Sequence, residues 1–413
     1  MTRDLWRAPA TIAAGPLLIV SLLFLSGDAT GPSFYGVSRL AQVSSALPII
    51  VPFCAGLAAW EGARLRMGGA FSVAPVRSEL AIAGRALLPI GCLALLGIAA
   101  SAAAMLSTGP SLALGDLRIL IVPLAAVAGY SALAYAAGRY LPGAFAIPGA
   151  VVGSWLLIVY PVAVEPLWIR HLTGYLSSCC DLSTVPDPGA MIAPIIVAAG
   201  MCAAAGLLVS PLAPTLRIGL AGLAVVGAVG VATTFVTDLG SEATTPRNAS
   251  ALTCRGDRPR ICLWPENEPV LHTTAAAASA IRDRLTASGV RVPSTVSESL
   301  EDRGKFWFVS LVPDARKRDV EAGLIMGLIP AVPACANGRA PYPGFAAQAP
   351  LEQWLAAIAR VPSGSSLAPA SRRTRREVAA VRQQPRAEQL SWYRQNLRAV
   401  SKCGPHPRLL TQR

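Results

Sequence analysis

Seven stretches of the chain stay apolar for long enough to cross a bilayer as a helix, and none of them carries Asp, Glu, Lys or Arg. Such a crossing takes roughly twenty residues, because the hydrocarbon layer is about 30 Å thick. The stretches run from Ala8 to Leu25, Leu40 to Trp60, Ala86 to Leu106, Ile119 to Gly138, Ala144 to Val164, Ala190 to Val209 and Ile218 to Val236. In hydrocarbon every backbone donor and acceptor must be satisfied within the segment, so these stretches predict helices. The first also resembles a signal peptide in its short basic start. Its apolar run is longer than a signal core and no A-x-A site follows, so we take it as a retained span. After Val236 the pattern changes. Apolar runs shorten to strand or amphipathic-helix length, and the chain divides into a membrane domain, 1–237, and a second domain, 238–413.

In the second domain Pro259 to Trp264 and Phe306 to Val312 predict buried strands. Glu268 to Ala287 predicts a helix with an acidic first turn, closed by Ser288-Gly289. Further helices are expected from Asp314 to Leu328, from Leu351 to Val361, and as one long helix from about Arg375 to Ser401. The alternation argues for a small α/β fold. The predicted fold class is therefore a membrane all-α bundle of about seven helices followed by a small soluble α/β domain.

Composition agrees with the pattern. Hydrophobic residues make up 53% and charged residues 14%, against about 25% charged in soluble domains. The chain carries a net charge of +13, and the arginines of the short loops between the spans are unevenly distributed. Arg3, Arg7, Arg64, Arg66, Arg77, Arg85, Arg139 and Arg217 fall on one side of the predicted membrane, and Arg39, Arg118 and Arg170 on the other. Positive flanks are retained in the cytoplasm. The expected protein is thus a multi-pass protein of the plasma membrane with its N-terminus cytoplasmic and its C-terminal domain extracytoplasmic.

Cysteine placement fits that orientation. Cys54, Cys92 and Cys202 sit inside predicted spans, and the other six fall on the expected oxidising side. Six cysteines allow fifteen connectivities; the pairings we favour are Cys254 with Cys262 and Cys335 with Cys403. Metal-ligand spacing is missing, because His171, His272 and His406 are scattered and no C-x2-C pair occurs. Glu266, Glu268 and His272 suit an acidic helix start better than half a metal site. Gly149 with Gly153, and Ala224, Ala228 and Ala232, are spaced for close helix packing and for oligomer formation through the membrane helices. Arg372, Arg373, Arg375 and Arg376 form the densest charge run, a candidate for binding an anionic surface. Nucleic acid is not an expected partner of an external domain. No nucleophile or zinc-protease motif marks an enzyme, and no cofactor is implied.

After the second span come Ala58-Ala59-Trp60-Glu61-Gly62-Ala63-Arg64-Leu65-Arg66-Met67-Gly68-Gly69. An aromatic, a charged stretch and two glycines suit a helix lying on the cytoplasmic surface. Through this segment the chain from Met1 to Gly240 resembles the permease-like membrane subunits of actinobacterial ABC type-2 transporters. Ile261 to Glu266, Pro341-Tyr342-Pro343-Gly344, and Glu388-Gln389-x-x-Trp392 before Cys403 are similar to an uncharacterised extracytoplasmic domain of some of them. The resemblance implies that a separate ATPase docks on Trp60, Glu61, Arg64 and Arg66. No G-x-x-x-x-G-K-[ST] loop occurs in this chain. The expected function is a permease-like subunit of an ABC-type export system; the alternative is a membrane-anchored sensor or scaffold whose external domain binds a ligand.

Overall fold

A computed structural model describes residues 35–69, 78–107, 112–176, 179–301, 304–333, 342–362 and 370–411. The expected span from Ala8 to Leu25, together with Arg3, Arg7, Arg77 and Cys335, lies outside the described residues.

Among the described residues six helices are long and apolar enough to cross a membrane: α1 (Gly36–Met67), α2 (Glu79–Leu106), α3 (Leu114–Tyr140), α4 (Gly143–Val162), α5 (Pro188–Leu208) and α6 (Pro214–Thr233). Several extend past the apolar stretch that predicts them, because a helix continues through a charge whose side chain reaches the aqueous edge. The clearest case is α1. Trp60 to Arg66 form its last two turns rather than a separate surface helix.

Close crossings depend on residues without side-chain bulk. A Cβ placed at Gly62 would run into the Tyr135 carbonyl, and one at Gly138 into the Ala59 carbonyl, so α1 and α3 touch backbone to backbone. Gly200 on α5 packs against the Ala228 methyl group and the Ala224 carbonyl of α6. This gives the Ala224–Ala232 stripe a partner within the chain. Gly149 and Gly153 meet nothing within 4 Å, so the expected packing pair on α4 is open. Outward positions such as Leu88, Trp155 and Leu223 are exposed, as lipid-facing positions are.

β1 (Thr184–Pro186) pairs with β2 (Thr244–Pro246), and the chain divides into two compact units between Thr245 and Pro246. The second unit holds β3 (Thr253–Arg255), β4 (Arg260–Leu263), α7 (Leu271–Ala287), β5 (Thr295–Ser297), β6 (Trp307–Phe308), α8 (Lys317–Met326), α9 (Phe345–Ala359), α10 (Arg372–Arg382) and α11 (Arg386–Ser401). Its sheet has the order β3-β4-β5-β6. β3 is antiparallel to β4, while β4, β5 and β6 are parallel. Trp264, Trp307, Trp354 and Trp392 are all fully buried in this unit.

Four helix expectations for this unit need correction. The last helix is two, α10 and α11, because Pro385 lacks an N–H and disfavours helical backbone at Gln384. The helix expected at Asp314 starts at Lys317, where Asp319 instead accepts the Arg316 N–H at 3.1 Å. Pro265–Val270 form a 3-10 turn before α7, which suits two prolines better than an α-helix does. The third helix begins at Phe345, ahead of Leu351.

Candidate functional site at the basic end of the membrane unit

The last residues of α1, α3 and α5 meet the first turns of α2 and α6 at one end of the membrane unit, where Arg64, Arg66, Arg139 and Arg217 lie. Glu61 accepts two hydrogen bonds from Arg64, at 2.9 Å from Nε and 2.7 Å from Nη2. The pair is asymmetric. Its carboxylate side chain is 7% exposed and its guanidinium side chain 57%. Spacing of three residues along the helix brings the two together, and the tight crossing at Gly62 buries Glu61 beside α3. Trp60 projects outward and is 47% exposed.

Tyr140, the last residue of α3, ties the other helix ends together. Its hydroxyl donates to the Leu208 carbonyl at 2.7 Å and accepts from Arg217 Nη1 at 3.1 Å. The Arg217 guanidinium lies 4.7 Å from the ring centroid, a cation–π distance. Arg66 donates to the Tyr140 carbonyl at 3.3 Å, and Arg139 pairs with Glu79 at 3.7 Å. Of the four residues expected to dock a partner, Trp60 and Arg64 face outward, Glu61 is buried as the anchor of Arg64, and Arg66 turns toward α3. Glu79, Arg139, Tyr140 and Arg217 complete the cluster. In the sequence these four are only flanking residues of separate spans, and their meeting depends on helix packing that no local pattern records.

The second unit has a different polar centre. Glu298 follows β5 at the carboxyl ends of the parallel strands, where α/β folds bind ligands. Here that position is filled. Glu298 accepts from Trp264 N at 2.7 Å, Asn267 Nδ2 at 2.6 Å and Leu311 N at 3.2 Å, and both it and Asn267 are buried. Burial pushes its carboxyl up to about 7, against the opposing pull of the three donors. Nearby, Arg247 grips Glu266 with two hydrogen bonds, at 3.1 and 3.2 Å, and stacks 4.5 Å from the Trp264 ring centroid.

Residues 261–403, most of this unit, match a family model described as a domain of unknown function (DUF7224). No curated protein and no solved structure matches the chain.

Arg372, Arg373, Arg375 and Arg376 are exposed on the first turns of α10, whose opposite face buries Val378 and Val381. The next residue, Glu377, is buried. It accepts from Trp392 Nε1 at 3.2 Å, Leu410 N at 2.8 Å, and Thr411 N and Oγ1 at 2.9 and 2.7 Å, which fastens the residues after α11 to α10. One acid directly after a basic and polar run is the sequence signal for that clasp.

Cys254 and Cys262 face each other across β3 and β4 with their sulfurs 2.03 Å apart. Cys403 is also disulfide-bonded, and Cys179 and Cys180 are bonded to each other. Among the described residues no group of three His, Cys, Asp or Glu side chains is placed to hold a metal. The Cys254–Cys262 bridge closes a short loop, for which chain entropy gives about 2–3 kcal/mol. Replacing both with serine is expected to lower the unfolding midpoint of the second unit and to reduce its response to a thiol to that of the remaining Cys403 disulfide. Thermal unfolding of the full chain, with and without a thiol, checks this.

Proposed function

We propose that the chain is a permease-like membrane subunit of an ABC-type export system and that a separate P-loop ATPase docks on Trp60 and Arg64. The observation that carries this reading is the construction at the end of α1. An exposed aromatic and an exposed guanidinium, residue types enriched at binding hot spots, stand on a rigid helix end, and the guanidinium is aimed by the buried Glu61. The resemblance of the membrane part of the chain supplies the class of partner. The excess of arginine at this end supports a cytoplasmic placement, with the C-terminal unit outside to contact substrate or a further partner.

A photo-crosslinking residue in place of Trp60, in the native membrane, is expected to yield an adduct with a P-loop ATPase. Trp60→Ala combined with Arg64→Glu should reduce ATPase association tenfold or more, on the order of a hot-spot loss. Adduct formation only with lipid or unrelated proteins contradicts the reading. A second reading, a membrane-anchored sensor or scaffold, is favoured by the arginines exposed on α10. Under it the double variant leaves every partner unchanged.

A further inference from the structure

An open groove of about 250 Å³ runs along the membrane unit between α3 and α4, floored by Ala55 of α1 and reaching Met201 of α5. Small residues line much of it, Ala134 and Ala137 on one side and Gly149 and Gly153 on the other, with Leu141 and Phe145 at one end. It exists because α4 leans on α1, where a Cβ at Gly56 would meet Val151, while its glycine face meets nothing. From Tyr130 to Leu141 the α3 wall runs for roughly three helical turns, long enough to hold much of an extended hydrocarbon chain.

The Leu141 end adjoins Tyr140, and Tyr140 is flanked by Arg66 on its carbonyl and Arg217 on its hydroxyl and ring. Among the described residues neither arginine forms an ion pair with a carboxylate. Hydrocarbon alone would make no use of those charges. A second copy seated on the groove by two-fold symmetry would bring the same arginines to the same depth, where like charges repel. We infer that the groove holds one acyl chain of an anionic phospholipid whose phosphate is bound by Arg66 and Arg217. Basic pockets between membrane helices recognise anionic headgroups in this way, and guanidinium suits phosphate through paired N–H donors. The site does not depend on the ATPase reading, and its test needs no ATPase.

The test uses the full chain reconstituted in bilayers of equal phosphatidylglycerol and phosphatidylcholine, extracted in mild detergent, with the retained lipid counted by mass spectrometry. The wild-type chain is expected to retain phosphatidylglycerol with roughly tenfold preference, the factor that about 1.4 kcal/mol of headgroup selectivity gives. Arg66→Gln with Arg217→Gln should abolish the preference, and Arg66→Lys with Arg217→Lys should keep most of it. Gly153→Leu fills the groove and should release the lipid although both arginines remain. Should that variant fail to fold, the two arginine pairs still decide. Equal retention of the two lipids by wild type overturns the inference, as does unchanged phosphatidylglycerol on a folded Gly153→Leu chain. A wild-type dimer without bound lipid that Gly153→Leu converts to monomer would assign the groove to a second copy instead.

Discussion

Replacing Gly138 with leucine is expected to abolish the folded membrane unit or to lower its unfolding midpoint in detergent by more than about 10 °C, the shift that a loss of a few kcal/mol produces. A Cβ at this position runs into the Ala59 carbonyl, and the obstacle is backbone rather than a side chain that can turn away. Overpacking of a core usually costs about 1–3 kcal/mol, and a backbone-to-backbone crossing has less room to relax. Gly62, which faces Tyr135 and Arg139 across the same crossing, should behave alike. Gly222 on α6 meets nothing within 4 Å, so Gly222→Leu should be nearly neutral. Size-exclusion profiles after heating separate these outcomes. Because the crossing also buries Glu61, a Gly138 variant that folds should lose partner binding at Trp60 and Arg64.

The second large effect centres on Glu298. Its folded carboxyl lies near 7 and its ordinary value near 4.5, so the folded state binds the proton more tightly than the unfolded state. The sign follows directly. Stability from this group is fully present below about 4.5 and is lost as pH rises through about 7, a change on the order of 3 kcal/mol. Hydrogen exchange over residues 261–311 of the full chain should therefore show protection falling between pH 5 and 8. Glu298→Gln should flatten that profile. It should also lower protection at pH 5 by about 2–3 kcal/mol, since an amide nitrogen replaces one of the oxygens that face N–H donors and a buried donor is left unsatisfied. A wild-type profile independent of pH would refute the assignment.

The length of an apolar run identifies a membrane helix well and its ends poorly. Leu40 to Trp60 marks the heart of α1, but the helix itself runs from Gly36 to Met67, because backbone hydrogen bonding is indifferent to the charges that end a hydropathy run. In the second unit Pro259 to Trp264 coincides with β4 because its apolar run is fully buried. Phe306 to Val312 shortens to Trp307–Phe308, because only there does β5 offer a neighbouring strand. Cross-strand facing of Cys254 and Cys262 follows from a tight turn at Gly256, whose backbone is left-handed. The candidate site was legible only in part. Trp60 to Arg66 stand out by composition, whereas the role of Tyr140 rests on contacts with residues 74 and 77 positions away in the chain. Such pairings are set by helix packing, which a single sequence does not encode locally.

The proposed partnership of this membrane unit with an ATPase is open to test by purification from the native membrane in mild detergent. Quantitative mass spectrometry of the purified material should find a P-loop ATPase at a fixed ratio to the chain, lost in the Trp60→Ala, Arg64→Glu variant. Recovery of the chain without any ATPase, under conditions that keep a known transporter assembled, would contradict it.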